Sequence, residues 1–123
     1  MGTSEVSAPP FQKRRGGKLT SLLHCENFQV QLIEMFPGAS TAEQCHLHRD
    51  EHLVVLEGEA EVRFDGEKLT LNQSDMLDIP AGFAHGLANI GTTALKVIEI
   101  TIGDLRDDDC ERIIPEIIKE LIV

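Results

Sequence analysis

The chain has 123 residues, a formal net charge of −10, 41% hydrophobic residues, five Phe, and neither Trp nor Tyr. That length closes one core and leaves no room for paired nucleotide-binding and substrate domains or for a full (β/α)₈ barrel. The acidic excess disfavours nucleic acid, whose phosphates need a basic face, and no apolar run approaches the roughly 18 residues of a membrane span. Met1–Pro10 has no apolar leader core, and Cys25, Cys45 and Cys110 form no C-x-x-C pair, so the expectation is a soluble cytoplasmic protein with reduced thiols.

Residues 1–18 read as a flexible tail, because Pro9-Pro10, Gly16-Gly17 and the basic group Lys13, Arg14, Arg15 and Lys18 show no hydrophobic period. From Leu19 to about residue 103 the pattern is β. Phe28–Phe36 is mostly period two and ends at Pro37-Gly38. His52–Leu56 is a continuous apolar run ending at Glu57-Gly58. Glu59–Phe64 alternates and meets Lys68–Leu71 across Asp65-Gly66, a pair that predicts a two-residue hairpin because both turn positions need positive φ. Met76–Ile79 and Leu95–Ile102 add two more strands. Many short strands with Gly, Pro and Asn turns define an all-β sandwich or barrel. Residues 104–123 read as an acidic linker followed by an amphipathic helix that starts near Pro115. Its aliphatic face, Ile113, Ile114, Ile117, Ile118, Leu121 and Ile122, needs a cover, either the barrel or a second subunit.

Four of the five histidines fall in two short segments. In Gln44-Cys45-His46-Leu47-His48-Arg49-Asp50-Glu51-His52, strand alternation puts His46 and His48 on one side, about 7 Å apart, with Gln44 on the same face and Cys45 on the other. Glu51 adds a carboxylate. In Pro80-Ala81-Gly82-Phe83-Ala84-His85, a turn can present a third imidazole from another strand. Three imidazoles and one carboxylate suit a divalent transition metal, Mn, Fe, Ni, Co or Zn. His52 is a rival to Glu51 as fourth ligand. Arg49 can grip a phosphate or carboxylate with two parallel hydrogen bonds.

Together these segments resemble the two motifs of the cupin superfamily. The first is H-x-H, then Glu, six residues and Gly, matched here by His46, His48, Glu51 and Gly58. The second runs Gly, Pro-x-Gly, His, Asn, matched by Pro80, Gly82, His85 and Asn89, with Ser74 where Gly is usual. Within cupins, Gln44–His52 with Val54-Val55 is similar to the cupin domain of type II mannose-6-phosphate isomerase/mannose-1-phosphate guanylyltransferase. Leu53 departs from it by replacing an aromatic residue, and the gap between His48 and Glu51 is shorter than is usual in the cupin motif. The resemblance implies a double-stranded β-barrel (jelly roll) over residues 19–103; the short C-terminal α-helix read from the aliphatic period is a departure from that family. The resemblance also implies a metal at one mouth held by His46, His48, Glu51 and His85.

Three functions are compatible with such a site. A sugar or sugar-phosphate isomerase would use the metal as a Lewis acid and, lacking Tyr, a carboxylate, a histidine such as His52 or metal-bound hydroxide as base, with Arg49 on the substrate's anion. An Fe- or Ni-dependent dioxygenase of the three-His, one-Glu type would use open metal positions for substrate and O₂. A non-catalytic module would only bind its small molecule. Residues 19–103 hold four basic and thirteen acidic groups, a poor field for steering an anionic substrate. A homodimer through the C-terminal isoleucine face is the expected assembly.

Overall fold

The computed structural model describes residues 11–14, 16–105 and 110–113. The chain forms eleven strands: β1 Phe11–Arg14, β2 Gly17–His24, β3 Phe28–Met35, β4 Glu43–His46, β5 Arg49–Glu57, β6 Ala60–Phe64, β7 Glu67–Leu71, β8 Met76–Ile79, β9 His85–Asn89, β10 Leu95–Gly103 and β11 Cys110–Ile113. They make a six-stranded sheet in the order β1-β2-β3-β10-β5-β8 and a five-stranded sheet in the order β11-β4-β9-β6-β7. Neighbouring strands pair antiparallel, as in β10 with both β3 and β5. From β3 onward the chain crosses between the layers: β3, β5, β8 and β10 lie in one sheet, and β4, β6–β7, β9 and β11 in the other. No helix among the described residues is long and apolar enough to cross a membrane.

The Asp65-Gly66 hairpin forms as its sequence requires, with φ of 50° and 80° and β6 paired to β7 from Ala60↔Leu71 to Phe64↔Glu67. Alternation sorts the other strands. On β5, Glu51, Leu53 and Val55 are buried while Asp50 and Leu56 are exposed. The core is Met35, Leu53, Val55, Ala60, Val62, Leu71, Ile79, Leu87, Leu95 and Val97. These fill one half of the space between the sheets. In register beside them, Glu99 lies opposite Gln31 and Leu53, and Thr101 opposite Gln29 and Glu51, so the other half is lined by polar side chains. The interior grades from apolar to polar along the strands.

Gly58 takes φ 93°, and a Cβ there would stand 3.1 Å from the Leu95 Cα, so this turn between β5 and β6 needs the residue the motif supplies. Asn89 is buried. Its Nδ2 donates to Met35 O and Thr93 O at 2.9 Å each, and its Oδ1 accepts from Gly91 N at 2.9 Å, which locks the end of β9 to β3 and to the following turn.

Two segments differ from the sequence-based reading. Within the expected tail 1–18, Phe11–Arg14 and Gly17-Lys18 are strand, paired from Phe11↔Thr20 to Arg14↔Gly17, and Lys18 bonds Glu34 at 3.3 Å. The basic and glycine residues hid a hairpin that gains its order from adding to the edge of β3 rather than from its own apolar pattern. Within the expected acidic linker, Cys110–Ile113 is a strand against β4. The expected helix from Pro115 lies outside the described residues.

Candidate metal centre

Three chain segments meet at the polar half of the interior. β4 supplies His46, β5 supplies Glu51 and β9 supplies His85. The Pro80–Gly82 turn joins them. Gly82, at φ 91°, donates its N–H to His46 O at 2.7 Å, and Ala81 N donates to Asp50 Oδ1 at 2.8 Å. The turn therefore ties the base of β9 to both strands of the first motif.

Glu51 bridges the two imidazoles. His46 Nε2 lies 3.0 Å from Glu51 Oε1, and His85 Nε2 lies 3.1 Å from Glu51 Oε2. The ring centroids are 5.8 Å apart. His46 and Glu51 are 6% and 4% exposed, so both act in a medium of low polarity. Burial alone raises a carboxylate's pKa, but the hydrogen bonds from His46 and His85 outweigh it and hold Glu51 well below the usual carboxylate range. The His85 imidazole moves the other way: burial depresses it, and the stronger pull of Glu51 leaves it raised above 6.5.

The hydrogen bonds also assign ring protons. His85 Nδ1 lies 3.1 Å from Phe83 O, a carbonyl that can only accept, so Nδ1 carries hydrogen. Arg49 Nη2 lies 2.8 Å from His46 Nδ1. A guanidinium can only donate, so His46 Nδ1 accepts, and its ring proton sits on Nε2 facing Glu51. Above these groups opens a cavity of about 550 Å³, whose wall includes Gln29, Gln31, Gln44, Arg49, Glu99 and Thr101. Glu99 was not singled out in the sequence. Its carboxyl is pushed well above the usual range, by burial first and then by the neighbouring Glu51 carboxylate. The signal that marks it is parity: on β10 the inward series Leu95, Val97, Glu99, Thr101 places one acid among core positions.

The structure brings together three of the four expected ligands and separates the rest. His48 is exposed in the bend between β4 and β5, because β4 ends at His46 and the assumed alternation stops there. It does not join the group His46, Glu51 and His85, whose ligand atoms all lie within 4.8 Å of one another. His52, expected as a rival ligand or as a base, does not join this group. It projects from the face of β5 opposite Glu51 and bonds Asp78 Oδ1 at 2.7 Å. Arg49 lines the cavity. Gln44 is opposite His85 in register and lines the same wall. Cys45 is buried and outside the ligand group. Phe64 and Phe83 stack at 5.5 Å, and Phe83 stands beside His46, Glu51 and His85.

The donor set fits a divalent ion. It offers one ionised carboxylate and two imidazoles, and the His85 ring is oriented through its far nitrogen by a backbone carbonyl, the outer-shell contact usual for ligating histidines.

Two crossing antiparallel sheets with a polar mouth holding this His–Glu–His group define a cupin. The fold is matched by the cupin domain of Cnp3 from Schizosaccharomyces pombe, with a TM-score of 0.68, 24% identity, and coverage of 71% of this chain and 64% of that one. The model of the mannose-6-phosphate isomerase C-terminal family matches residues 4–114, and the chain belongs to that family. It is 38% identical over 100 residues to a mannose-1-phosphate guanylyltransferase of Salmonella montevideo, covering 80% of this chain and 21% of the relative. It is 40% identical over 113 residues to the alginate biosynthesis protein AlgA of Pseudomonas aeruginosa, covering 91% and 24%. The chain thus spans about a quarter or less of the length of these relatives.

Proposed function

We propose that this chain is a metal-dependent isomerase module acting on a sugar or sugar phosphate. The observation that carries the reading is the convergence of His46, Glu51 and His85, the first two of which line a cavity that also presents Gln29, Gln31, Gln44 and Glu99; membership of a family described as the C-terminal part of mannose-6-phosphate isomerase supports it. His46, Glu51 and His85 would hold a divalent transition metal, which when bound supplies Lewis acidity toward a carbonyl oxygen. Gln29, Gln31 and Gln44 offer both donors and acceptors to a row of hydroxyls. Arg49 supplies the positive charge for an anionic group. Glu99, whose carboxyl is pushed well above the usual range, lines the same cavity, so it is the group placed to move a proton between adjacent carbons. It takes the role first considered for His52, which faces the other way.

The test is proton exchange. Metal-reconstituted protein is incubated with aldose and ketose phosphates in D₂O and followed by NMR, with O₂ uptake recorded in parallel. Isomer exchange with deuterium incorporation is expected, falling on the order of 10²-fold or more in Glu99→Gln while metal affinity stays within a few-fold. O₂ consumption without isomer exchange would select the dioxygenase reading, and binding without turnover the non-catalytic one.

A further inference from the structure

We propose that Arg49 and a metal ion compete for His46, so that loading the site requires the guanidinium to leave the imidazole. This rests on the reading of His46, Glu51 and His85 as a metal centre. The argument follows from where protons can be. Arg49 Nη2 donates to His46 Nδ1 at 2.8 Å, which leaves the ring proton on Nε2, pointing at Glu51 Oε1 3.0 Å away. An ion can take only a lone pair. For Nε2 to ligate, its proton must move to Nδ1, and an Nδ1–H cannot face a guanidinium N–H, because two donors would then meet with no acceptor between them. Keeping Arg49 in place would require both ring nitrogens to be deprotonated.

His85 shows the contrast. Its Nδ1–H already donates to Phe83 O, so its Nε2 can ligate by giving up the proton it shares with Glu51, with no change at Nδ1. The two imidazoles of one centre thus differ at Nδ1, a donor in His85 and an acceptor in His46, and only the first is compatible with a metal on Nε2. Arg49 is also poorly satisfied where it stands. Its Nε–H is buried with no acceptor among the described residues, and its other neighbours at the site, Glu51 and Glu99, line the cavity with it. Losing the imidazole contact leaves the guanidinium facing that cavity. The metal-free and metal-loaded states therefore differ in the position of one positive charge, and Arg49 acts as a positioning residue that lowers metal affinity until it is displaced.

The experiment uses Zn²⁺ alone as the probe on the full chain. Long-range ¹⁵N–¹H spectra of the histidine rings report the tautomer directly. His46 is expected as the Nε2–H form without zinc and as the Nδ1–H form with it; an Nδ1–H form in the zinc-free protein would overturn the proposal. Calorimetric titration then compares Arg49→Met with wild type and with Arg63→Met, which removes one positive charge from β6 without touching His46. Arg49→Met is expected to bind zinc about tenfold more tightly than both. Equal affinity in all three chains overturns the competition and leaves the metal centre standing. No zinc binding by any of them overturns both. Arg49→Gln, similar in polarity and unable to donate from a cation, serves as the second variant if Arg49→Met does not fold, with the same tightening expected.

Discussion

Glu51 is a buried carboxylate kept ionised by two imidazoles, and the pH dependence of stability should carry its signature. Its pKa lies below the ordinary 4.5, so its contribution is present above that value and is lost as pH falls through the folded one. His85 is raised above 6.5, so its contribution is complete below that pH and is lost as pH rises through the folded value. In metal-free buffer with chelator, the melting-temperature gap between wild type and His85→Gln should therefore narrow from about pH 6 to about pH 9. The gap to Glu51→Gln should narrow from about pH 5 downward. A gap that stays flat across either range would show that the Glu51 bridge is absent in solution. At this scale the sequence was partly legible. His46, Glu51 and His85 were found because motif spacing fixes them. His48 was misplaced because alternation was extended two residues past the end of a strand. Glu99 was missed because an acid on an apolar strand reads as a surface residue until its parity is compared with Val97 and Thr101.

Among the elements, those with their own pattern were readable and those ordered by a neighbour were not. Hairpin β6–β7 and strands β3, β5, β8 and β10 carry alternating or continuous apolar residues with turn signals at their ends. Strands β1 and β11 have few such residues and form by adding to an edge, β1 on β2 and β11 on β4. The second motif's departure at Ser74 now has a physical meaning. Ser74 stands at φ 76°, in the left-handed region where glycine is usual, and its N–H donates to Val55 O at 2.8 Å. A serine there carries steric strain that glycine avoids, partly offset by glycine's greater loss of freedom on folding. Ser74→Gly should therefore stabilise the chain by roughly 1 kcal/mol, read as an increase in the denaturation midpoint at unchanged slope. A loss of stability would mean that the serine makes a contribution beyond its backbone conformation.

For the whole molecule, the net charge of −10 bears on the kinetics of the proposed reaction. An anionic substrate meets a repulsive field, and added salt shortens its reach from about 30 Å at about 10 mM to about 8 Å at about 150 mM. If the substrate is phosphorylated, kcat/KM should rise severalfold over that range, while an uncharged sugar should show no such change. A fall with salt would point to a local positive field around Arg49 that outweighs the body.

The centre also has a mechanical consequence. Glu51 belongs to the six-stranded sheet, while His46 and His85 belong to the five-stranded one. β4 is held to β9 by the single pair Gln44↔His85 and on its other side by β11. The three side chains therefore work as a clasp between the two sheets at the polar end of the barrel. An ion seated there would join the two layers much as a cross-link does. Its removal should loosen that end first, which hydrogen exchange would register at β4 and β11 well before it reaches Val55, Val62 or Val97.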